Sequence, residues 1–463
     1  MRLTGSEITR AVEGELLQGN PQQKVSGFAI DSRLVKPGDF FIPLEGEHTD
    51  GHRFIAMAFA NRAVGAFYER HKRPDPDISP DCLLIGVDNS LAALQKLALV
   101  YRTGFNLPVV AITGSSGKTT TKDFTAGVLS AKYNVLKTTG NLNNQIGLPL
   151  TILQLEESHQ VAVLEMGMSA AGEITALCEI AKPTMGVITN IGEAHIEMLG
   201  SVDAIARAKG ELLDYLGSGG VAVLNGDDPR LLKARKRYPG KAYCYGFNQG
   251  DIKGLQLSQR GEYSFFRVRF PDKAEGWFKS PLPGWESASN ALAALTVGYI
   301  LKLTPDQMKA GLAKSKITAG RLQVLDSQLG FKIIDDSYNA NPSSMRAALK
   351  VLFELGGSKT VAVLGDMLEL GDVASEAHFS VGRFAADLGI DCLVTVGELA
   401  RRTAEGAVSA GLSAYPCSDQ EEALHYIRGL SLADDWYVLV KGSRGMCMER
   451  IVRALAGGEG AEE

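Results

Sequence analysis

Several common signals are missing from this sequence, and each absence excludes something. No run of 18 apolar residues occurs, so no membrane-spanning helix and no membrane insertion is expected. Residues 1–7 hold no apolar signal core, which points to a cytoplasmic location. The six cysteines, at 82, 178, 244, 392, 417 and 447, form no C-x-x-C pair, so neither a disulfide framework nor a zinc site is expected. A basic surplus is lacking too: the net charge is −5 and the pI about 5.9, which argues against a nucleic-acid partner. There is no internal repeat, and low complexity is confined to a Gly/Glu tail after Leu455. What remains is a 463-residue chain, 45% hydrophobic and 22% charged, long enough for about three domains with their own cores.

The most informative stretch is Val109-Val110-Ala111-Ile112-Thr113-Gly114-Ser115-Ser116-Gly117-Lys118-Thr119-Thr120. An apolar, β-branched run predicts a buried parallel strand. A Gly-rich turn follows, and Lys-Thr-Thr opens a helix. Backbone N–H groups of such a loop, together with the helix N-terminus, attract phosphate. Lys118 adds a point charge for the terminal phosphates, and the Thr119 hydroxyl is suited to Mg²⁺. The motif is the short T-G-x-x-G-K-T-T form, because Ile112 stands where the longer pattern has glycine.

Around it the chain reads as α/β throughout. Residues 1–106 suggest a small α/β module, with strands near 27–33 and 36–44, a helix over 54–61 and an amphipathic run over 91–101. Residues 107–318 suggest a central P-loop domain built on a parallel sheet. Two of its buried strands deliver Glu165 and His195 at their C-terminal ends, where ligands bind in open parallel sheets. These two are candidate hard-metal ligands, or polar residues of ordinary loops. A helix over 202–216 carries Lys209, which by itself reads as a solvated surface lysine. Alternating polar and apolar residues over about 242–282 predict an antiparallel extension of the sheet. Residues 319–463 restart the α/β alternation as a Rossmann-like domain without G-x-G-x-x-G, so dinucleotide binding is not expected. Asp336, Asn339, Asn341, Lys441 and Arg444 fall in polar loops after its strands.

Taken together, Thr113-Gly114-Ser115-Ser116-Gly117-Lys118-Thr119-Thr120-Thr121-Lys122, Asn143-Asn144-Gln145-Ile146-Gly147-Leu148-Pro149, Glu165-Met166-Gly167 and Asn190-Ile191-Gly192-Glu193-Ala194-His195 resemble the successive motifs of the Mur ligases. Asp335-Asp336-Ser337-Tyr338-Asn339-Ala340-Asn341-Pro342, Gly365-Asp366-Met367-Leu368-Glu369-Leu370-Gly371 and Lys441-Gly442-Ser443-Arg444 are similar to the branch that adds D-alanyl-D-alanine to UDP-N-acetylmuramoyl-tripeptide. Asp31-Ser32-Arg33 with Pro37-Gly38-Asp39 is similar to the uridine-binding domain of that family. The resemblance implies an ATP-dependent, ADP-forming amide ligase of peptidoglycan precursor synthesis. It would act through an acyl phosphate and as a monomer.

It also implies residue roles. Gly114, Ser115, Ser116, Gly117, Lys118, Thr119 and Thr120 would hold the ATP phosphates, joined by Asn290, Arg321, Asp336 and Asn341. Thr119 and Glu165 would hold one Mg²⁺, and His195 with a carbamylated Lys209 a second. Lys118, His195 and Lys209 would be catalytic. Ser32 and Thr49 would meet the uridine, Asn143 and Asn144 the diphosphate or peptide, and Lys441 and Arg444 the dipeptide carboxylate or the acyl phosphate. Glu286-Ser287 stand where the family usually has His-Asn, so the adenine contact is left open. So is the third residue of the tripeptide, meso-diaminopimelate or lysine. An ATP-driven switch and a ligase for another acid, such as a folate-like one, are the rival readings.

Overall fold

The computed structural model describes residues 3–46, 49–72, 78–194, 196–430, 432 and 434–457. It forms two compact units: Met1–Ala111, Tyr133–Met168 and Gly172–Met185 in the first, and Ile112–Lys132, Ser169–Ala171 and Gly186–Glu463 in the second.

In the first unit a five-stranded sheet runs in the order Glu15–Gln18, Leu83–Val87, Gly65–Glu69, Asp39–Phe41, Gly27–Ala29. Only the edge strand Glu15–Gln18 pairs antiparallel; the others are parallel. The central strands Leu83–Val87 and Gly65–Glu69 are buried at every position, as a sheet covered on both faces requires. The predicted helix near 54–61 is Ile55–Ala60, and the amphipathic run is the helix Ser90–Thr103, whose N-terminus is capped by the Asn89 side chain. The same unit holds the parallel pair Val135–Lys137 and Val161–Glu165.

The strand Val109–Thr113 begins in the first unit and ends in the second, where Thr189 N–H donates to the Thr113 carbonyl. Beyond the strand Met185–Ile188 the sheet continues through Val221–Asn225, Lys241–Gly246, Ile252–Arg260, Tyr263–Arg269 and Glu275–Ser280. The expected antiparallel extension is present from Ile252 onward, whereas Lys241–Gly246 pairs parallel on both sides. The helix Trp285–Ile300 is apolar nearly all round and buried along most of its length.

The last sheet runs Gln323–Asp326, Lys332–Asp336, Tyr437–Lys441, Thr360–Gly365, Cys392–Val396, Ala414–Cys417, parallel except for its first strand. Its pleat sorts the core into two layers. Ile334, Ala362, Leu364, Leu393 and Leu439 pack with Met345, Leu349 and Val381 on one face. Ile333, Val361, Val363, Val394, Val438 and Val440 pack with Ala423, Ile427 and Ile451 on the other. Alternate residues of one strand therefore feed opposite layers. Each such side chain contributes about 1.5–3 kcal/mol on burial, which holds helices against both faces. Polar residues are thereby pushed to the loops at the strand ends. Among the described residues no helix is long and apolar enough to cross a membrane.

Candidate active site

The phosphate-loop geometry follows from two glycines. Gly114 has φ +150°, and a Cβ there would overlap the Thr189 hydroxyl. Gly117 has φ +76°, and its Cβ would lie 2.5 Å from Asn290 Oδ1. Any side chain at either position would be both strained and obstructed. Asn190 clamps the loop: its carbonyl accepts from Ser115 N–H at 3.0 Å, its Oδ1 accepts from Ser116 N–H at 2.9 Å, and its Nδ2 donates to Ser116 Oγ at 2.9 Å. Ser115 Oγ and Gly192 N–H lie 2.8 Å apart in a further clamp. The N–H groups of Ser115 and Ser116, expected to face phosphate, are thus engaged by Asn190. The anion-seeking groups are instead the first-turn N–H groups of the helix Lys118–Leu129, which lack intrahelical acceptors. Asn190 was visible as part of a motif, but not its role.

Several charged side chains converge on this loop. Lys118 Nζ donates to the Gly114 carbonyl at 2.8 Å, spanning the turn. Arg321 Nη2 donates to Thr119 Oγ1 at 3.1 Å, although 202 residues separate them. Thr121 Oγ1 donates to Asn290 Oδ1 at 3.2 Å. A cavity of about 410 Å³ opens here. It collects Ser115, Ser116, Gly117, Lys118, Thr119, Thr120, Asn290, Arg321, Asp336, Asn341 and Lys441, which lie far apart along the chain. Asp228, Arg230, Trp285 and Glu286 also line it; sequence reasoning had not assigned them. A smaller cavity of about 130 Å³ is lined by Lys118, Asn339, Asn341, Leu368, Glu369 and Arg444, among others.

Asp336 and Lys441 form a buried ion pair at the ends of adjacent strands. Lys441 Nζ donates to Asp336 Oδ2 at 2.5 Å and to the Asn339 carbonyl at 2.8 Å, while Asp336 Oδ1 accepts from Leu322 N–H. Burial raises the Asp336 carboxyl and lowers the Lys441 ammonium, and their contact opposes both shifts. Asn341 caps the helix Pro342–Leu355 reciprocally with Ser344, so it shapes the wall it lines.

Lys209 departs from the solvated position that its own stretch of sequence suggests. It is buried in the helix Val202–Leu216, not solvated. Among the described residues it has no carboxylate partner. Burial, and then the Lys118 charge, push its amine well below the ordinary lysine range. His195 lies outside the described residues.

The first unit holds the other candidates. Glu165 ends its strand buried. Its Oε1 accepts from Asn143 Nδ2 at 2.7 Å, and its Oε2 has no hydrogen-bond partner among the described residues. A buried carboxylate oxygen left without a donor costs several kcal/mol unless a cation meets it, so the donor set suits a hard cation. Among the described residues no group of three His, Cys, Asp or Glu side chains forms a metal cluster. Asn144 Oδ1 accepts from Ile146 and Gly147 N–H, shaping the entry to the helix Gly147–Ile152. Ser32 is buried, its Oγ 3.3 Å from Met57 Sδ, and Thr49 is exposed.

Three family models match the chain: the Mur ligase family catalytic domain over residues 24–102, the Mur ligase middle domain over 112–298, and the Mur ligase glutamate ligase domain over 320–444. The chain is 39% identical to the UDP-N-acetylmuramoyl-tripeptide–D-alanyl-D-alanine ligase of Bacillus subtilis (strain 168), with 98% of each chain covered. Among solved structures, a MurF from Acinetobacter baumannii matches with a TM-score of 0.89 at 33% identity, covering 98% of this chain and 99% of that one. The MurF of Thermotoga maritima, solved in complex with ADP, matches with a TM-score of 0.81 at 30% identity, covering 93% and 97%.

Proposed function

The chain belongs to the Mur ligase family, and we propose that it joins D-alanyl-D-alanine to UDP-N-acetylmuramoyl-tripeptide at the expense of ATP. The observation that carries this is a relative of that activity matched over 98% of both chains. The fold is the three-domain α/β architecture of the family, proposed here as residues 1–106, 107–318 and 319–463.

The chemistry begins from a poor acylating agent. A carboxylate oxygen of the UDP-linked peptide attacks the γ-phosphorus of ATP, the bond to the β–γ bridging oxygen breaks, and ADP leaves. The resulting acyl phosphate is attacked by the dipeptide amine. The tetrahedral intermediate then collapses with loss of phosphate and a proton, leaving an amide. Phosphoryl transfer needs neutralisation and alignment more than covalent help. Lys118, the first-turn N–H groups at Thr119 and Thr120, and Arg321 supply these, with Asn290, Asp336 and Asn341 shaping the nucleotide end. With ATP in the larger cavity and the dipeptide in the smaller, Arg444 would face the dipeptide carboxylate and Lys441, in the wall of the larger cavity, the acyl phosphate. Ser32, Thr49, Asn143 and Asn144 would serve the UDP substrate.

Thr119, Glu165, His195 and Lys209 would hold Mg²⁺, in two sites by family pattern. When bound, Mg²⁺ neutralises phosphate oxygens. The unpartnered Glu165 oxygen supports this assignment. Burial favours the neutral form of the Lys209 amine, which would capture CO₂ and release one proton, becoming an anionic carbamate that offers the oxygen donors Mg²⁺ prefers. We also propose a monomer in the cytoplasm. Phosphate release from ATP tests the function, with the UDP-tripeptide and D-alanyl-D-alanine omitted in turn. Release should require both, and release indifferent to either would overturn it.

A further inference from the structure

Tyr338 follows the strand Lys332–Asp336 and sits against the linker that precedes the last sheet. Its N–H donates to the Gly320 carbonyl at 3.2 Å. Gly320 has φ +73°, and a Cβ there would come within 3.1 Å of Tyr338 Cβ, so the linker backbone lies directly on this residue. The phenol ring then meets two cations. The Arg321 guanidinium carbon is 4.0 Å from the ring centroid, and that of Arg444 is 5.8 Å away. Arg321 reaches into the larger cavity, where it donates to Thr119 Oγ1, and Arg444 lines the smaller one.

Two guanidinium groups gathered at one ring repel each other, and a neighbouring group of negative potential eases that repulsion. An aromatic face does so without competing for either group's N–H donors. Arg321 spends one N–H on Thr119 Oγ1 and Arg444 Nη1 donates to Glu449 Oε1 at 3.1 Å, and the ring takes none of their remaining donors, which stay available for phosphate or carboxylate oxygens. A carboxylate in the same place would consume them.

We propose that Tyr338 is a positioning residue that holds Arg321 over the nucleotide cavity and Arg444 over the acceptor cavity, so that one ring couples the two ends of the reaction. This rests on the assignment of ATP to the larger cavity and of the dipeptide to the smaller. The role belongs to the π-face and not to the hydroxyl.

The test replaces Tyr338 in the full-length enzyme by phenylalanine, then by mono-, di- and trifluorinated phenylalanines, which keep the shape while draining the ring face. Phe should stay within about twofold of wild type. The KM values for ATP and for D-alanyl-D-alanine should climb together with fluorine number, by about 5- to 30-fold at three fluorines. The KM for the UDP-tripeptide should stay level. Tyr338→Leu should match the trifluorinated variant. KM values indifferent to fluorination, or a Phe variant as damaged as Leu, would overturn the proposal. A wild type that needs no dipeptide would overturn the underlying assignment instead.

Discussion

Two lysines of the second unit are equally buried and differently provided for. Lys441 lies with Asp336 Oδ2 at 2.5 Å and a backbone carbonyl at 2.8 Å. Lys209 has no carboxylate partner among the described residues, and the charge that acts on it is another cation, Lys118. A buried ammonium without a counter-charge is expensive enough that the amine releases its proton instead. Burial alone therefore does not define a lysine's role. With a partner Lys441 keeps a fixed place in the wall of the larger cavity, whereas Lys209, without one, is the amine for which we propose carbamylation.

Lys118 sets the upper end of the expected effects. Lys118→Ala should lower kcat by about 10³-fold or more, with an unchanged circular dichroism spectrum, since a preorganised charge at a transferring phosphoryl group is worth that much. Near-normal turnover would reduce the loop to a structural turn.

Lys209→Ala should cost about 10²- to 10³-fold in kcat, and a short carboxylic acid at high concentration should restore part of it, standing in for the lost carbamate. The same acid should do nothing for Lys441→Ala. Rescue of both, or of neither, would erase the distinction between the two residues.

Asp336→Asn should destabilise the protein by about 3–5 kcal/mol, because it strands the Lys441 charge in the interior. Adding Lys441→Met should recover much of that loss. A denaturant midpoint that hardly moves in the single variant would contradict the buried pair.

The smallest effect concerns pH. Below about pH 10 the unfolded Lys209 is protonated, whereas its folded amine is held well below that range. The unfolded chain therefore binds more protons, and stability rises with pH between the lowered value and about 10.4. Lys209→Met should raise the thermal midpoint by about 1–3 °C near neutrality in CO₂-free buffer. The gain should shrink as pH approaches 10. A gain that grows with pH would reverse the sign of the argument.

What the sequence disclosed divides along physical lines. The phosphate loop was legible because its requirements are local: two glycines at positive φ and a helix start within a few residues. The four inner strands of the last sheet were legible for the same reason, since each carries an apolar run at its centre, whereas the edge strands Gln323–Asp326 and Ala414–Cys417 carry too weak a pattern to be read. Contacts across long separations were not, such as Arg321 on Thr119 or the Asn190 clamp, because no local period records them. Lys209 lay between these cases. The buried positions of its helix are Ile205, Ala208, Lys209, Leu212, Leu213 and Leu216, so the lysine occupies the apolar stripe itself. A lysine at that register is a visible signal of an unusual amine. Tyr338 gave no such sign, because its importance lies in two arginines distant in sequence.

The most direct measurement is ¹³C NMR of the full-length enzyme equilibrated with ¹³C-bicarbonate and Mg²⁺. One carbamate resonance should be present in wild type, persist in Lys441→Met and vanish in Lys209→Ala, its intensity tracking ligase turnover as CO₂ is withdrawn and restored. An active enzyme with no carbamate resonance, or a resonance that survives Lys209→Ala, would contradict the account.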